Sequence, residues 1–408
     1  MNSQPKNLAP STAANRIALL DIFRGFALFG IFMVNIRYMA SSTLHLNAFQ
    51  WMTEGPNNKI ATFIFEYFFD GKFYPIFSFL FGVGFGMQMN NMEEKGKFSI
   101  FFFVRRYFFL FLFGALHVVF LWGGDVLALY ALAGFLVMLI RKVPSKYIFV
   151  ASILILLCPF YGHILTFIDT LFVQHGYHSI VAIPDRTYSE IVHSHSDGSF
   201  LLRLNRRLFE YSVYYRNVEY FPTLVFMIFG GYLASRYKFY NKISETLRKL
   251  SYLAIAAVIV ILVIRFVDAS YSHLGKENFK WYVILVKLKL IASIAQSFLY
   301  LYIISYLYKY NFFLKLMTPL SYAGRMSLTN YLMQSVLGML LFGSSFLGLY
   351  GKLGNAWLGF IAFVSYFVLV AASKLWLNKF RYGPMEYIWR ELTYRTSLKF
   401  SQNGNNKK

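Results

Sequence analysis

The sequence is a succession of apolar runs of roughly twenty residues, the length of helix that crosses the hydrocarbon core of a bilayer. They lie near 17–37, 62–90, 103–122, 125–140, 147–167, 219–235, 251–268, 281–306, 326–348 and 355–377. The expected fold is therefore all-α, a polytopic membrane protein with about ten transmembrane helices. The second run is too long for one span. It reads as a short helix from Thr62 to Asp70, a turn, and a span from Phe73 to Met89. Composition excludes the soluble alternative. Hydrophobic residues make up 57% and charged residues 14%, where an ordinary soluble domain is about a quarter charged.

Net charge is +22, from 40 Lys and Arg against 18 Asp and Glu. In a soluble chain that excess would suggest nucleic acid. Here the basic residues cluster in short loops that alternate along the chain: Lys95, Lys97, Arg105 and Arg106; Arg141, Lys142 and Lys146; Arg236, Lys238, Lys242, Arg248 and Lys249; and the tail after Lys374. That is the positive-inside pattern. It places both termini in the cytoplasm of a multi-pass cell-membrane protein, with the lipid bilayer as partner and no nucleic acid. Residues 2–15 are polar, and the first apolar run carries Asp21, Arg24 and Asn35, so it reads as a retained helix rather than a cleaved signal.

The chain divides into an N-terminal membrane half (1–168), an external segment (169–218), a C-terminal membrane half (219–377) and a basic cytoplasmic tail (378–408). The single cysteine, Cys158, permits no intramolecular disulfide. The external segment carries His175, His178, His193 and His195 with scattered acids. These read as solvated loop residues rather than a metal set, and no metal is expected.

Chemistry in such a chain is sought where polar groups enter the membrane, because they are costly to insert. In the first helix Asp21 and Arg24 are three apart and share a face. Arg24 and Asn35 are eleven apart, again on one face and about 16 Å apart along the axis. The third run repeats the spacing: Arg105 and Arg106 open it, His117 follows Arg106 by eleven, and Asp125 ends it. An arginine at the cytoplasmic end suits a donor phosphate, and a neutral histidine deep in the membrane suits a general base. Topology alone also puts arginines at such ends, and a buried histidine also ties helices together. A third cluster sets Ser327, Asn330 and Gln334 on one helical face, as substrate contacts or as interhelical hydrogen-bonding groups. Lys287 and Lys289 fall inside a span and are expected to snorkel. The tail from Phe380 to Tyr394 mixes Tyr387, Trp389 and Tyr394 with Arg381 and Arg390, and suits an interfacial helix on anionic lipid.

Five stretches carry a resemblance: Leu20 to Asn35, Gly71 to Gly86, Arg106 to Tyr130, Gly324 to Ser335 and Tyr382 to Tyr394. Together they resemble the YeiB-like family of bacterial integral membrane proteins, whose C-terminal half is a domain of unknown function. More distantly, the first helix is similar to that of the lysosomal heparan-alpha-glucosaminide N-acetyltransferase. The Arg106-to-His117 spacing is similar to that of bacterial surface-polysaccharide O-acyltransferases. There the motif sits on the first helix, where this chain has Asn35. The resemblance implies transfer of an acyl group from cytoplasmic acyl-CoA to an envelope glycan or lipid acceptor. His117 would be base or acyl relay. Arg24, Arg105 and Arg106 would bind the donor. Asp125, Asn35, Ser327, Asn330 and Gln334 would orient the histidine or the acceptor. A transporter or permease for a small solute would use the same residues to line a path, and a ligand-free structural or immunity-type protein would use them for stability alone.

Overall fold

The computed structural model describes residues 18–41, 46–157, 200–216, 220–239, 251–277, 279–395 and 400–401, with isolated positions 170, 171, 174, 245, 246 and 249. Cys158 and the four histidines of the external segment lie outside the described residues. The described chain is all-helical. Its helices are α1 (Ala18–Ala40), α2 (Pro56–Ile64), α3 (Phe73–Glu94), α4 (Ile100–Phe120), α5 (Leu127–Leu139), α6 (Ser145–Leu157), α7 (Phe200–Arg216) and α8 (Tyr220–Arg236). There follow α9 (Ser251–Glu277), α10 (Phe279–Leu307), α11 (Asn311–Arg325), α12 (Ser327–Phe342), α13 (Asn355–Lys379) and α14 (Pro384–Tyr394).

Five of these contain a stretch long and apolar enough to cross a bilayer: α1, α4, α9, α10 and α13. The protein is a membrane protein. The remaining expected spans fall on α3, α5, α6, α8 and α12. Helices α5 and α6 have only 13 described residues each, about 20 Å of helix against a hydrocarbon core of about 30 Å. Helix α11, amphipathic and not expected from the apolar runs, lies along α1.

Helix α1 is the central post. It contacts α3, α11, α12 and α13, so the two membrane halves form one interleaved bundle. Its closest approach is to α11, where a Cβ on Gly25 would sit 2.0 Å from the Leu320 carbonyl oxygen and one on Gly324 would sit 1.9 Å from that of Asp21. Only glycine allows backbones so near. Outward faces carry Phe101, Phe108 and Leu116 on α4 and Leu262, Val263 and Phe266 on α9, all exposed. Large apolar side chains on the outside of a bundle are the lipid-facing surface.

The expected break in the second run is present. Helix α2 passes into one π turn, Phe65–Phe69, then the chain turns at Gly71 (φ 79°) and restarts as α3. A break within the membrane leaves backbone carbonyls that need donors. Helix α10 supplies them: Gln296 Nε2 donates to the Tyr67 carbonyl, Tyr300 Oη to that of Phe68, and Ser297 Oγ to that of Lys72. The Lys72 ammonium donates to the Glu66 carbonyl. The two lysines expected to snorkel do not reach out alone. Lys287 donates to the Leu156 carbonyl, and Lys289 pairs with Asp268 of α9 at 2.9 Å. Lys287 is half-buried, whereas Lys289 stays exposed beside Asp268.

Candidate functional site

One end of the bundle brings together the start of α1, the end of α3, the start of α4 and the α11–α12 junction. These enclose a cavity of about 550 Å³, floored by Val126, Leu127, Tyr130 and Tyr331 and reaching the surface at the exposed Asn91 and Lys95. Its wall carries the cations Arg24, Lys95, Lys97, Arg106, Arg325 and Arg390 against the acids Asp21 and Glu386. Low-dielectric walls focus such a potential and draw anions. A smaller pocket, near 40 Å³, lies beyond the floor. It is lined by Asn35, Tyr74, Gly124 and Tyr220, and it shares Ile31, Val126, Tyr130 and Tyr331 with the larger cavity.

The expected residues divide among these places. Arg24 lines the cavity, with Nη1 2.8 Å from Asp21 Oδ1 one turn earlier. Arg106 lines it too, its guanidinium carbon 3.8 Å from the centroid of the Trp389 ring, and its buried Nε finds no hydrogen-bond partner in the described chain. Arg105 faces away. Consecutive helical residues point about 100° apart, and Arg105 Nε donates to the Thr393 carbonyl of α14 at 2.7 Å.

The polar face of α12 also divides. Ser327 reaches the cavity. Asn330 donates to the Ala323 carbonyl at 3.2 Å and to Ser373 Oγ of α13 at 2.9 Å, which ties helices together. Gln334 Nε2 reaches the Leu28 carbonyl of α1 at 3.4 Å. Asn35 lies in the smaller pocket.

His117 lines neither cavity. It is buried between α4 and α12, with Nδ1 3.1 Å from Asp125 Oδ1 and Nε2 2.7 Å from Ser335 Oγ. Asp125 Oδ2 accepts the Ala128 N–H at 2.9 Å. The ring centroid of Tyr331 is 5.2 Å from that of His117, so one aromatic side chain separates the histidine from the point where the two cavities meet.

The tail helix α14, expected as an interfacial helix, also has a protein partner. It packs on α4 and α12 and closes part of the cavity wall with Glu386, Trp389, Arg390 and Tyr394. Glu386 caps α12: Oε1 accepts the N–H groups of Leu328 and Thr329 at 2.6 and 3.1 Å, and Oε2 accepts the Thr329 hydroxyl at 2.6 Å. An acid at a helix N-terminus satisfies orphan donors and complements the dipole. Together with the stacking of Trp389 on Arg106, this seats the tail on the bundle. Burial pushes the Glu386 carboxyl above its usual range, and the bonds from Thr329 and Leu328 draw it part of the way back.

Glu386, Trp389, Arg325, Tyr331 and Ser335 were not among the expected site residues. The signal for Glu386 was an acid in a basic tail. Tyr331 and Ser335 stand four and eight residues after Ser327, continuing its face.

Residues 234–396 match the family described as "Protein of unknown function (DUF418)", which takes in α9 to α14. The chain is 30% identical over 407 residues to the "Uncharacterized protein YxaH" of Bacillus subtilis (strain 168), covering 95% of this chain and 96% of that one. The chain belongs to the YeiB-like family. It is also 25% identical to the "Uncharacterized protein YeiB" of Escherichia coli (strain K12), over 94% of this chain and 97% of the relative. A third relative, from Bacillus acidopullulyticus, is 28% identical over 94% of this chain and 96% of its own length. No solved structure matches.

Proposed function

We propose that this protein is an acyltransferase of the cell membrane, taking its acyl group from acyl-CoA on the cytoplasmic side and passing it to a glycan or lipid of the envelope. The observation that carries the reading is the cation-lined cavity of about 550 Å³, a volume typical of small-molecule and cofactor sites, roughly 300–1,000 Å³. The positive-inside pattern supports a cytoplasmic position for its basic end and for both termini. Arg24, Arg106, Arg325 and Arg390 then receive the donor phosphates, for which planar guanidinium groups are suited. Arg106 has an unused donor there. The acyl end of the donor points to the floor at Tyr130 and Tyr331, where the smaller pocket meets the cavity from the other side. His117, behind Tyr331, is the base, held in orientation by Asp125.

Membrane vesicles from cells producing the protein, given labelled acetyl-CoA on their cytoplasmic face, test this. Wild type transfers label into vesicle lipid or glycan, and His117→Ala, purified folded, transfers none. Full transfer by that variant removes the assignment.

A second reading, a carrier for a phosphorylated small solute, draws on the four residues shared by the two cavities. Such sites form near broken helices, and α2–α3 is one. A carrier moves its solute chemically intact, so the label would cross the membrane unaltered.

A further inference from the structure

We propose that Ser335 carries the acyl group covalently between donor and acceptor, with His117 as its base. The inference rests on the acyltransferase reading above and adds an intermediate to it. The partners around His117 suit the tautomer that this needs. Asp125 uses Oδ2 to accept the Ala128 N–H at 2.9 Å and presents Oδ1 to His117 Nδ1 at 3.1 Å. With Asp125 as the acceptor and a neutral imidazole, which the proposal requires, Nδ1 carries the proton and Nε2 keeps its lone pair. The Ser335 hydroxyl, 2.7 Å away, then donates to Nε2. A nucleophile bonded to a base, and that base oriented by a third group, is the arrangement that activates a serine. The carboxylate has a fitted place: a Cβ on Gly114 would lie 2.7 Å from Asp125 Oδ2.

All three side chains are buried, and Tyr331 is the door. It stands one turn before Ser335 on α12 and lines both cavities. Its hydroxyl donates to the Gly124 carbonyl at 3.2 Å and accepts the Val126 N–H at 3.3 Å. Both bonds are long. Rotation of this one side chain joins Ser335 to the place where the two cavities meet, within reach of a donor from one side and an acceptor from the other.

In the first step a bond forms between Ser335 Oγ and the thioester carbonyl carbon as His117 Nε2 takes the hydroxyl proton. The carbon–sulfur bond then breaks, and the departing thiolate of CoA takes that proton from His117. In the second step an acceptor hydroxyl attacks the serine ester, His117 takes its proton, and Ser335 Oγ leaves and recovers a proton from His117. No oxidant or further reactant enters.

The test needs no acceptor. Protein in lipid nanodiscs is incubated with acetyl-CoA and radiolabelled free CoA. An acetyl-enzyme passes its acetyl group back to the labelled CoA, so labelled acetyl-CoA appears. Peptide mapping after acid quench locates the acetyl group. Wild type should exchange and carry acetyl on Ser335. Ser335→Ala should still bind CoA in calorimetry but lose exchange by at least about a hundred-fold. Ser335→Cys should accumulate a hydroxylamine-labile thioester, which a merely structural hydroxyl would not give. CoA binding by wild type with neither exchange nor adduct, or wild-type exchange by Ser335→Ala, overturns the serine carrier and leaves the acyltransferase reading standing. Absence of CoA binding by folded wild type overturns both.

Discussion

Glu386 shows how one side chain ties the tail to the membrane bundle. Its carboxyl is buried among the N-terminal N–H groups of α12 and its ordinary value is raised by that burial. A group with a raised folded value binds a proton more readily when docked, so its stabilising contribution is full below the unfolded value and is lost as pH rises through the raised one. Across that window the thermal midpoint of wild type should fall relative to Glu386→Gln, measured in detergent over a pH series. A constant difference between the two proteins would show that Glu386 does not titrate in the docked state. Gly25 gives the second prediction at this scale. With a Cβ 2.0 Å from the Leu320 carbonyl oxygen, Gly25→Ala forces α1 and α11 apart. It should cost about 1–3 kcal/mol, read as a lowered thermal midpoint. Arg24 was legible as a cation within the first span, on one face with Asp21. That Gly25 beside it seats α11 was not, because close backbone approach depends on a partner some three hundred residues away.

Among the elements, the broken second run was the most legible feature. Its length exceeded one span, and Gly71 offered a turn. The sequence could not say how the exposed carbonyls of the π turn are satisfied, since Gln296, Ser297 and Tyr300 come from a helix far along the chain. Ser297→Ala leaves the Lys72 carbonyl without that donor, at a cost of about 1–3 kcal/mol. Hydrogen exchange should speed up locally across 65–72 while α13 stays protected. Uniform loss of protection would instead mean that the break is integral to the whole bundle. Helix α11 escaped notice because its apolar residues form a face rather than a run. Helix α14 was legible as amphipathic, but its seat on α4 and α12 was not. An amphipathic helix with aromatic and basic residues suits a lipid surface and a helical groove alike, and the docking shows only once Glu386 is seen capping α12.

For the whole molecule, the sequence conveys membrane residence and family, because both are spread along the entire chain. The cavity is different. It is made where the ends of several helices and the tail converge, and its cations come from positions as far apart as Arg24 and Arg390. Spacing within a helix brought forward Arg106 and His117 together, yet the bundle places them apart, with Arg106 on the cavity wall and His117 behind Tyr331. Function therefore turns on whether the cationic cavity takes a phosphorylated acyl donor. Calorimetry of purified protein in lipid nanodiscs, titrated with acetyl-CoA and with free CoA, measures this directly. Saturable binding is expected for both, weakened at least about ten-fold in Arg106→Ala and retained in Arg105→Ala, whose side chain faces the tail. No heat of binding from folded wild type, or equal affinity in Arg106→Ala, would contradict the account.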